Sequence, residues 1–268
     1  MSTSPGRGRV LIIAGSDSGG GAGIQADIKT VTMMGAYAAT AVTAITVQNT
    51  LGVSAVHPVP LEIVAAQVRA VVSDIGVDAI KTGMLGSADI VAEVAGLLQE
   101  TKGAQVVVDP VMVAKGGAAL LDDDAVGMVM ERLVPAARLL TPNAPEAERL
   151  TGIPIEGPED MRRAGSALLA AGAGAVLMKG GHVPGERVVD ILMTPAGECR
   201  FEAPRLETRH THGTGCTLAS ACAAGLALGL PLEDAVGRAW TYVQKALAHA
   251  PGLGRGHGPL GHNWPLYA

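Results

Sequence analysis

Apolar residues along this chain alternate between two rhythms. Short uninterrupted runs, RVLIIAG (9–15), QVVVDPV (105–111) and AVLMKGG (175–181), end in turn-forming or charged residues. Such runs predict strands buried on both faces. Between them lie longer stretches with helical spacing. In GGGAGIQADIKTVTMMG (19–35), Ile24, Ile28, Val31 and Met34 share one helix face, which Gly35 closes. The same reading predicts helices over 60–74, 87–99 (with Ser87 as N-cap), 122–134, 144–151, 157–172, 215–229 and 232–249. A β-rich stretch covers 38–50, and strands are expected at 78–83 and 138–143. RVVDILMT (187–194) and GECRFEAPR (197–205) predict a hairpin turned by Pro195-Ala196-Gly197. Strands alternating with helices predict an α/β fold, its mostly parallel sheet covered on both faces. With no repeat and no linker, residues 1–268 read as a single domain.

Composition narrows the class. Hydrophobic residues make up 48% of the 268 and charged residues 17%, which predicts a sizeable core and argues against disorder. Aromatics are only 2%, so aliphatic residues and ten Met must fill that core. A net charge of −5 without a basic stripe argues against nucleic acid as a partner. The apolar run after the basic start is too short for a signal peptide. No segment approaches the roughly 18 uninterrupted apolar residues of a membrane span, so neither export nor a membrane partner is expected. Cys199, Cys216 and Cys222 are an odd number without a CxxC pair, which argues against a disulfide framework or zinc site and fits a reducing cytoplasm.

Ligands of such sheets gather at the carboxyl ends of the strands. Those ends read Gly15-Ser16-Asp17, Gln48-Asn49, Lys81-Thr82-Gly83-Met84, Asp109, Thr141-Pro142-Asn143 and Lys179-Gly180-Gly181. The loop GSDSGGGAG follows a strand and opens a helix, so its amides are expected to approach a ligand. It lacks the Gly-Lys-Ser/Thr of a phosphate-binding P-loop, and no acid follows where a dinucleotide ribose would need one. GHGPLG (256–261) matches a dinucleotide fingerprint by letters alone, in a proline-broken tail.

RHTHGTGCTLASACAAG (209–225) carries the sharpest signal. Gly213, Thr214 and Gly215 turn into a helix whose first amides and dipole make an anion hole suited to a phosphoryl group. A cysteine at that helix start, Cys216, is expected to have a lowered pKa. Cys199 and Cys222 read as small buried hydrophobes. Lys179 supplies a cation for phosphate. Asn143, Glu146 and Asp109 are hard oxygen donors suited to Mg²⁺. Each also has a structural reading, as N-cap, capping-box partner and turn former respectively. His210 and His212 could pair with Cys216 as a nucleophilic couple, although turn-stabilising or solvated histidines are commoner.

In combination, GSDSGGGAGIQAD, TVQNT (46–50), KTGML (81–85), VVVDPVMVAKGG (106–117), LLTPNAPEAE (139–148), LMKGGH (177–182) and THGTGCTLASA (211–221) resemble the hydroxymethylpyrimidine/phosphomethylpyrimidine kinases of thiamine biosynthesis. The resemblance runs from residue 9 to about 262 and implies a ribokinase-like three-layer α/β/α sandwich. It implies ATP and Mg²⁺, and phosphorylation of 4-amino-5-hydroxymethyl-2-methylpyrimidine and then of its monophosphate. Gln48 would bond the aminopyrimidine edge, Ala22, Met84 and Val111 would line the ring pocket, and Asp27 would be a further substrate-side acid. Lys179, Asn143 and Thr211 would serve the nucleotide, and Glu146, Asn143 and Asp109 the metal, directly or through water. Catalysis would fall to Cys216, Lys179 and Asp109, with the Cys216 thiolate accepting or steering the hydroxyl proton. Family habit implies a homodimer, and AKGGAALLDDD (114–124) is the candidate lid. Two rivals are a pyridoxal/pyridoxine kinase and an acyl transferase using Cys216 covalently; a non-catalytic pyrimidine sensor would not need the phosphate apparatus.

Overall fold

A computed structural model describes residues 8–112 and 123–267. Its main sheet has eight strands in the order β10-β9-β8-β7-β6-β5-β1-β2. These are β1 (Arg9–Ala14), β2 (Tyr37–Val42), β5 (Ala79–Thr82), β6 (Gln105–Val108), β7 (Leu139–Leu140), β8 (Val176–Met178), β9 (Arg187–Thr194) and β10 (Gly197–Pro204). The six from β8 to β2 run parallel, and β9 and β10 add an antiparallel edge.

The uninterrupted apolar runs are explained by two separate cores. In β1, Leu11 and Ile13 pack on one side while Val10, Ile12 and Ala14 pack on the other. The first side is covered by α2 (Leu61–Asp74), α3 (Ala88–Glu100), α4 (Asp123–Met128), α5 (Ala144–Thr151) and α6 (Pro158–Ala170); the second by α1 (Gly23–Met33), α7 (Thr214–Ala227) and α8 (Leu232–Ala248). Three layers result. Ten successive α7 residues, Thr217–Leu226, are buried, because this helix is wedged between the sheet and its neighbours α1 and α8. A helix apolar all round must be buried, and its Ala, Ser, Cys and Gly side chains are small enough to permit that wedge.

Several boundaries differ from the sequence pattern. The stretch 38–50 divides: β2 joins the main sheet, while β3 (Ala44–Asn49) leaves it and pairs with an unpredicted β4 (Gly52–Pro58) in a separate two-stranded sheet. No β4 residue is buried, so it carries no core-facing alternation to read. The helix expected over 122–134 passes into a π-helical turn at Val129–Leu133. Gly197 pairs with Thr194, which leaves Pro195-Ala196 as the hairpin turn. The Gly/Pro-rich tail is stapled back: His257 N–H donates to the Thr50 carbonyl at 2.9 Å and Gly261 N–H to Ala246 at 2.9 Å. The candidate lid 114–124 falls almost wholly outside the described residues. No described helix is long and apolar enough to cross a membrane.

Candidate active site

Parallel register gathers the charged residues on one rim. Thr82 pairs with Val108, Val108 with Leu140 and Leu140 with Val176, so the chain leaves four adjacent strands at nearly one level. Asp109 follows β6 directly, Thr141 follows β7, and Lys179 bridges to Asn143 just beyond β8. Lys179 Nζ donates to Asp109 Oδ1 at 3.0 Å and lies 3.9 Å from Glu146 Oε2. Burial alone would lower the lysine pKa, but Asp109 and Glu146 outweigh it, and the ammonium is held charged. Thr141 Oγ1 donates to the same Asp109 oxygen at 3.2 Å. Asp109 Oδ2 is buried and has no hydrogen-bond partner among the described residues.

Asn143 and Glu146 form the full capping box of α5. Asn143 Oδ1 accepts from Glu146 N–H at 2.9 Å, and Glu146 Oε2 accepts from Asn143 N–H at 2.8 Å. The structural reading of this pair therefore holds, and any ligand role must share these atoms. Burial pushes Glu146 up to about 7 against the pull of Lys179.

Facing them is the start of α7. Its cap, Gly213, has φ 84°, and a Cβ there would drive into the Gly21 carbonyl. A Cβ on Gly215 would stand 3.1 Å from Lys179 Nζ. Bare backbone is thus required where the helix meets the lysine. The helix start leaves the Gly215 and Cys216 amides without a helical acceptor.

The expected Cys216 thiolate is corrected. Burial pushes this thiol up to about 12, with Asp27 and Asp109 adding to it and only Lys81 opposing strongly. Desolvation and two carboxylates overcome the helix dipole. At about pH 8, Cys216 should therefore alkylate with iodoacetamide far more slowly than free glutathione. Its rate should keep climbing about tenfold per pH unit past pH 10. Peptide mass spectrometry reads this, and a plateau below pH 9 contradicts it. His212 is not available for a Cys–His couple, since its Nε2 is engaged by Asp17 Oδ2 at 2.9 Å. With the Cys216 thiol held protonated, this counts against the acyl transferase.

The glycine loop also departs from expectation. Its amides turn inward on Asp17, which accepts from Gly19 at 2.8 Å, Gly21 at 3.0 Å and Ala22 at 2.8 Å. They are not free to cradle a ligand. Although burial opposes it, His212 and these amides hold the Asp17 pKa below the ordinary carboxylate value. Asp27, expected near the substrate, is wholly buried outside the cavity lining: it accepts from Lys81 Nζ at 2.9 and 3.0 Å and from Ser220 Oγ at 2.7 Å.

These groups border a cleft of about 680 Å³. Ala22, Gln48, Met84, Val111, Asn143, Glu146, Thr211 and the 213–216 segment all line it, as do Asp109 and Lys179. A β-bulge between Val47 and Gln48 aims Gln48 into it. Sequence reasoning missed the wall made by Leu218, Trp240, Val243 and Leu247 of α7 and α8, and Asp190 of β9. Burial pushes Asp190 up to about 6 while it accepts from Gly180 N–H at 2.8 Å. A helical apolar stripe reads as core whether it faces a neighbour or a cleft, so no local signal separated this wall.

The layers and rim define a ribokinase-like phosphotransferase. The fold aligns over 98% of this chain and 100% of the other with the ADP complex of Bacillus subtilis pyridoxal kinase, at TM-score 0.92 and 35% identity. The sequence profile described as phosphomethylpyrimidine kinase matches residues 17–261, and the chain belongs to that family. Hydroxymethylpyrimidine/phosphomethylpyrimidine kinase of Streptomyces coelicolor is 51% identical over 96% of this chain and 95% of its own length. The thiamine biosynthesis bifunctional protein ThiED of Geobacter sulfurreducens is 56% identical over 96% of this chain, which spans 52% of that longer protein.

Proposed function

We propose that this chain transfers the γ-phosphoryl group of ATP to the hydroxymethyl oxygen of 4-amino-5-hydroxymethyl-2-methylpyrimidine, and then phosphorylates the monophosphate, in thiamine biosynthesis. The observation that carries the reading is the charged Lys179, hydrogen-bonded to Asp109 and set against bare backbone at Gly215. Phosphoryl transfer asks mainly for positioning and charge stabilisation rather than covalent help. Lys179 would hold the transferring group, with the Gly213–Cys216 amides beside it. Asn143 and Thr211 would serve the nucleotide, whose apolar seat is the α7–α8 wall. Gln48, Ala22, Met84 and Val111 would hold the ring.

Mg²⁺ suits the donor set. Asp109 Oδ2 is a buried hard oxygen with no hydrogen-bond partner among the described residues, and Glu146 stands across Lys179 from it. Asp109 and Glu146 would hold the ion with water and phosphate oxygens, Asn143 orienting Glu146. The ion would neutralise charge on the phosphates. Cys216 enters as a neutral thiol and cannot take the substrate proton, which would pass late, to Asp109, as charge develops; a loose transition state demands no more.

The same reading includes a cytoplasmic homodimer of single-domain chains. Ile45 and Val47 on one face of the β3–β4 hairpin and Leu51 at its turn are exposed, apolar surface that a second copy would cover. Sedimentation velocity tests this.

Coupled ADP release with the pyrimidine alcohol, its monophosphate, pyridoxal and ribose in parallel tests the activity. The pyrimidine alcohol should give the highest kcat/KM, ribose none. A higher value for pyridoxal, the substrate named for the 35%-identical neighbour, would reverse the choice.

A further inference from the structure

Gln48 is surrounded by groups whose own bonds dictate which way its carboxamide must face. Thr46 Oγ1 is buried and has one hydrogen, which meets the Ser16 carbonyl at 2.9 Å. Thr46 N–H is tied as well, to Ser16 Oγ at 3.0 Å, so the threonine is fixed. Gln48 Oε1, 3.2 Å away, would need the same hydrogen; with the nearer Ser16 carbonyl taking it, the hydroxyl meets Gln48 as an acceptor. On the other flank, His212 Nε2 lies 2.9 Å from a carboxylate oxygen of Asp17 that can only accept. That nitrogen must carry hydrogen, directed at Asp17, so it offers the Gln48 amide 3.4 Å away no acceptor and at most a share of that one N–H. With the amide oxygen towards Thr46 and the amide nitrogen towards His212, acceptor would meet acceptor and donor would meet donor. A half-turn of the terminal amide resolves both conflicts.

We infer that Thr46 and His212 are positioning residues that lock the Gln48 carboxamide with its carbonyl towards His212 and its NH₂ towards Thr46, so that it selects a ring bearing an amino donor beside a ring-nitrogen acceptor. Each flanking contact uses one lone pair or one N–H. One acceptor and one donor remain on a side chain that lines the cleft. That is the two-point pattern by which a carboxamide reads an aminated heterocycle. A ring with oxygen in place of the amino group settles as its lactam, whose carbonyl beside an N–H presents the reversed pair. The inference rests on the kinase reading above and adds which residues set its ring specificity.

The test is a cycle between side chain and substrate group. The full chain is assayed with the aminopyrimidine alcohol and with its analogue lacking the 4-amino group. Thr46→Val keeps the shape and removes the acceptor. It should lower kcat/KM for the amino substrate about tenfold, mainly through KM, and change that for the desamino analogue less than about twofold. Thr46→Ser should restore wild-type selectivity. His212→Phe should show the same coupling; if it fails to fold with Asp17 orphaned, Thr46→Val still decides. Equal losses on both substrates, or no loss on either, overturn the positioning role while leaving the kinase assignment intact. A wild-type chain that turns over neither pyrimidine overturns the kinase assignment, and this inference with it.

Discussion

Lys179→Met should turn over the pyrimidine alcohol about a thousandfold more slowly than the wild type, with the protein still folded. The lysine is the cation at the rim that lies against both Asp109 and Glu146 and against the glycine backbone of α7. Its charge would act on the phosphoryl oxygens as negative charge spreads over them, and that stabilisation exists chiefly in the transition state. The loss should accordingly appear in kcat and kcat/KM together. Lys179→Arg should rescue little. A guanidinium fork needs more room than an ammonium, and a single added carbon on Gly215 would already come within 3.1 Å of Nζ. Stability should fall less than activity. Glu146, already pushed up to about 7 by burial, can take a proton once the lysine is gone, and Asp109 keeps the Thr141 hydroxyl as a donor. Steady-state kinetics with circular dichroism on both variants checks this. Turnover within tenfold of wild type would remove Lys179 from the phosphoryl path and the main support for the proposed chemistry.

The residues legible from sequence and those that were not divide on physical grounds. Strands buried on both faces announce themselves as apolar runs, and the polar residues that end those runs mark Asp109 and Lys179 as rim residues. The paired glycines before Cys216 likewise mark the α7 start. What sequence could not show is which way a polar group turns. GSDSGGGAG is compatible with amides aimed at a ligand, yet Asp17 within the loop takes three of them. Its remaining partner, His212, is 195 positions away. The helix dipole at Cys216 is a local property and was readable. The burial and the two acids that reverse its effect come from three separate segments. Asp27 entered as a site acid through the resemblance alone, whereas its cation, on a different element 54 residues on, holds it behind the cleft.

That buried pair carries the largest effect expected on stability. Lys81 and Asp27 side chains have no solvent exposure, and they join β5 to α1 behind the cleft while Ser220 adds α7. Burial works against the lysine's charge, but Asp27 outweighs it and holds Lys81 protonated above its ordinary pKa. Lys81→Met leaves a carboxylate in an apolar interior with one hydroxyl donor, and should cost about 3–5 kcal/mol. Lys81→Met combined with Asp27→Leu should recover most of that, because the desolvation of both charges is removed together. The pH dependence has a fixed sign. Burial raises the Asp27 pKa above its unfolded value even with Lys81 pulling it down, and losing the lysine raises it further. Stability contributed by its protonation is then fully present below the unfolded pKa, near 4, and is lost as pH rises through the folded one. The single variant's deficit should shrink on going from about pH 8 to about pH 5, while the double variant's should stay flat. Urea unfolding at the two pH values measures both. A deficit independent of pH would mean that Asp27 keeps its charge through some other donor, and that Lys81 is held there for the electrostatics of the cleft rather than for the fold.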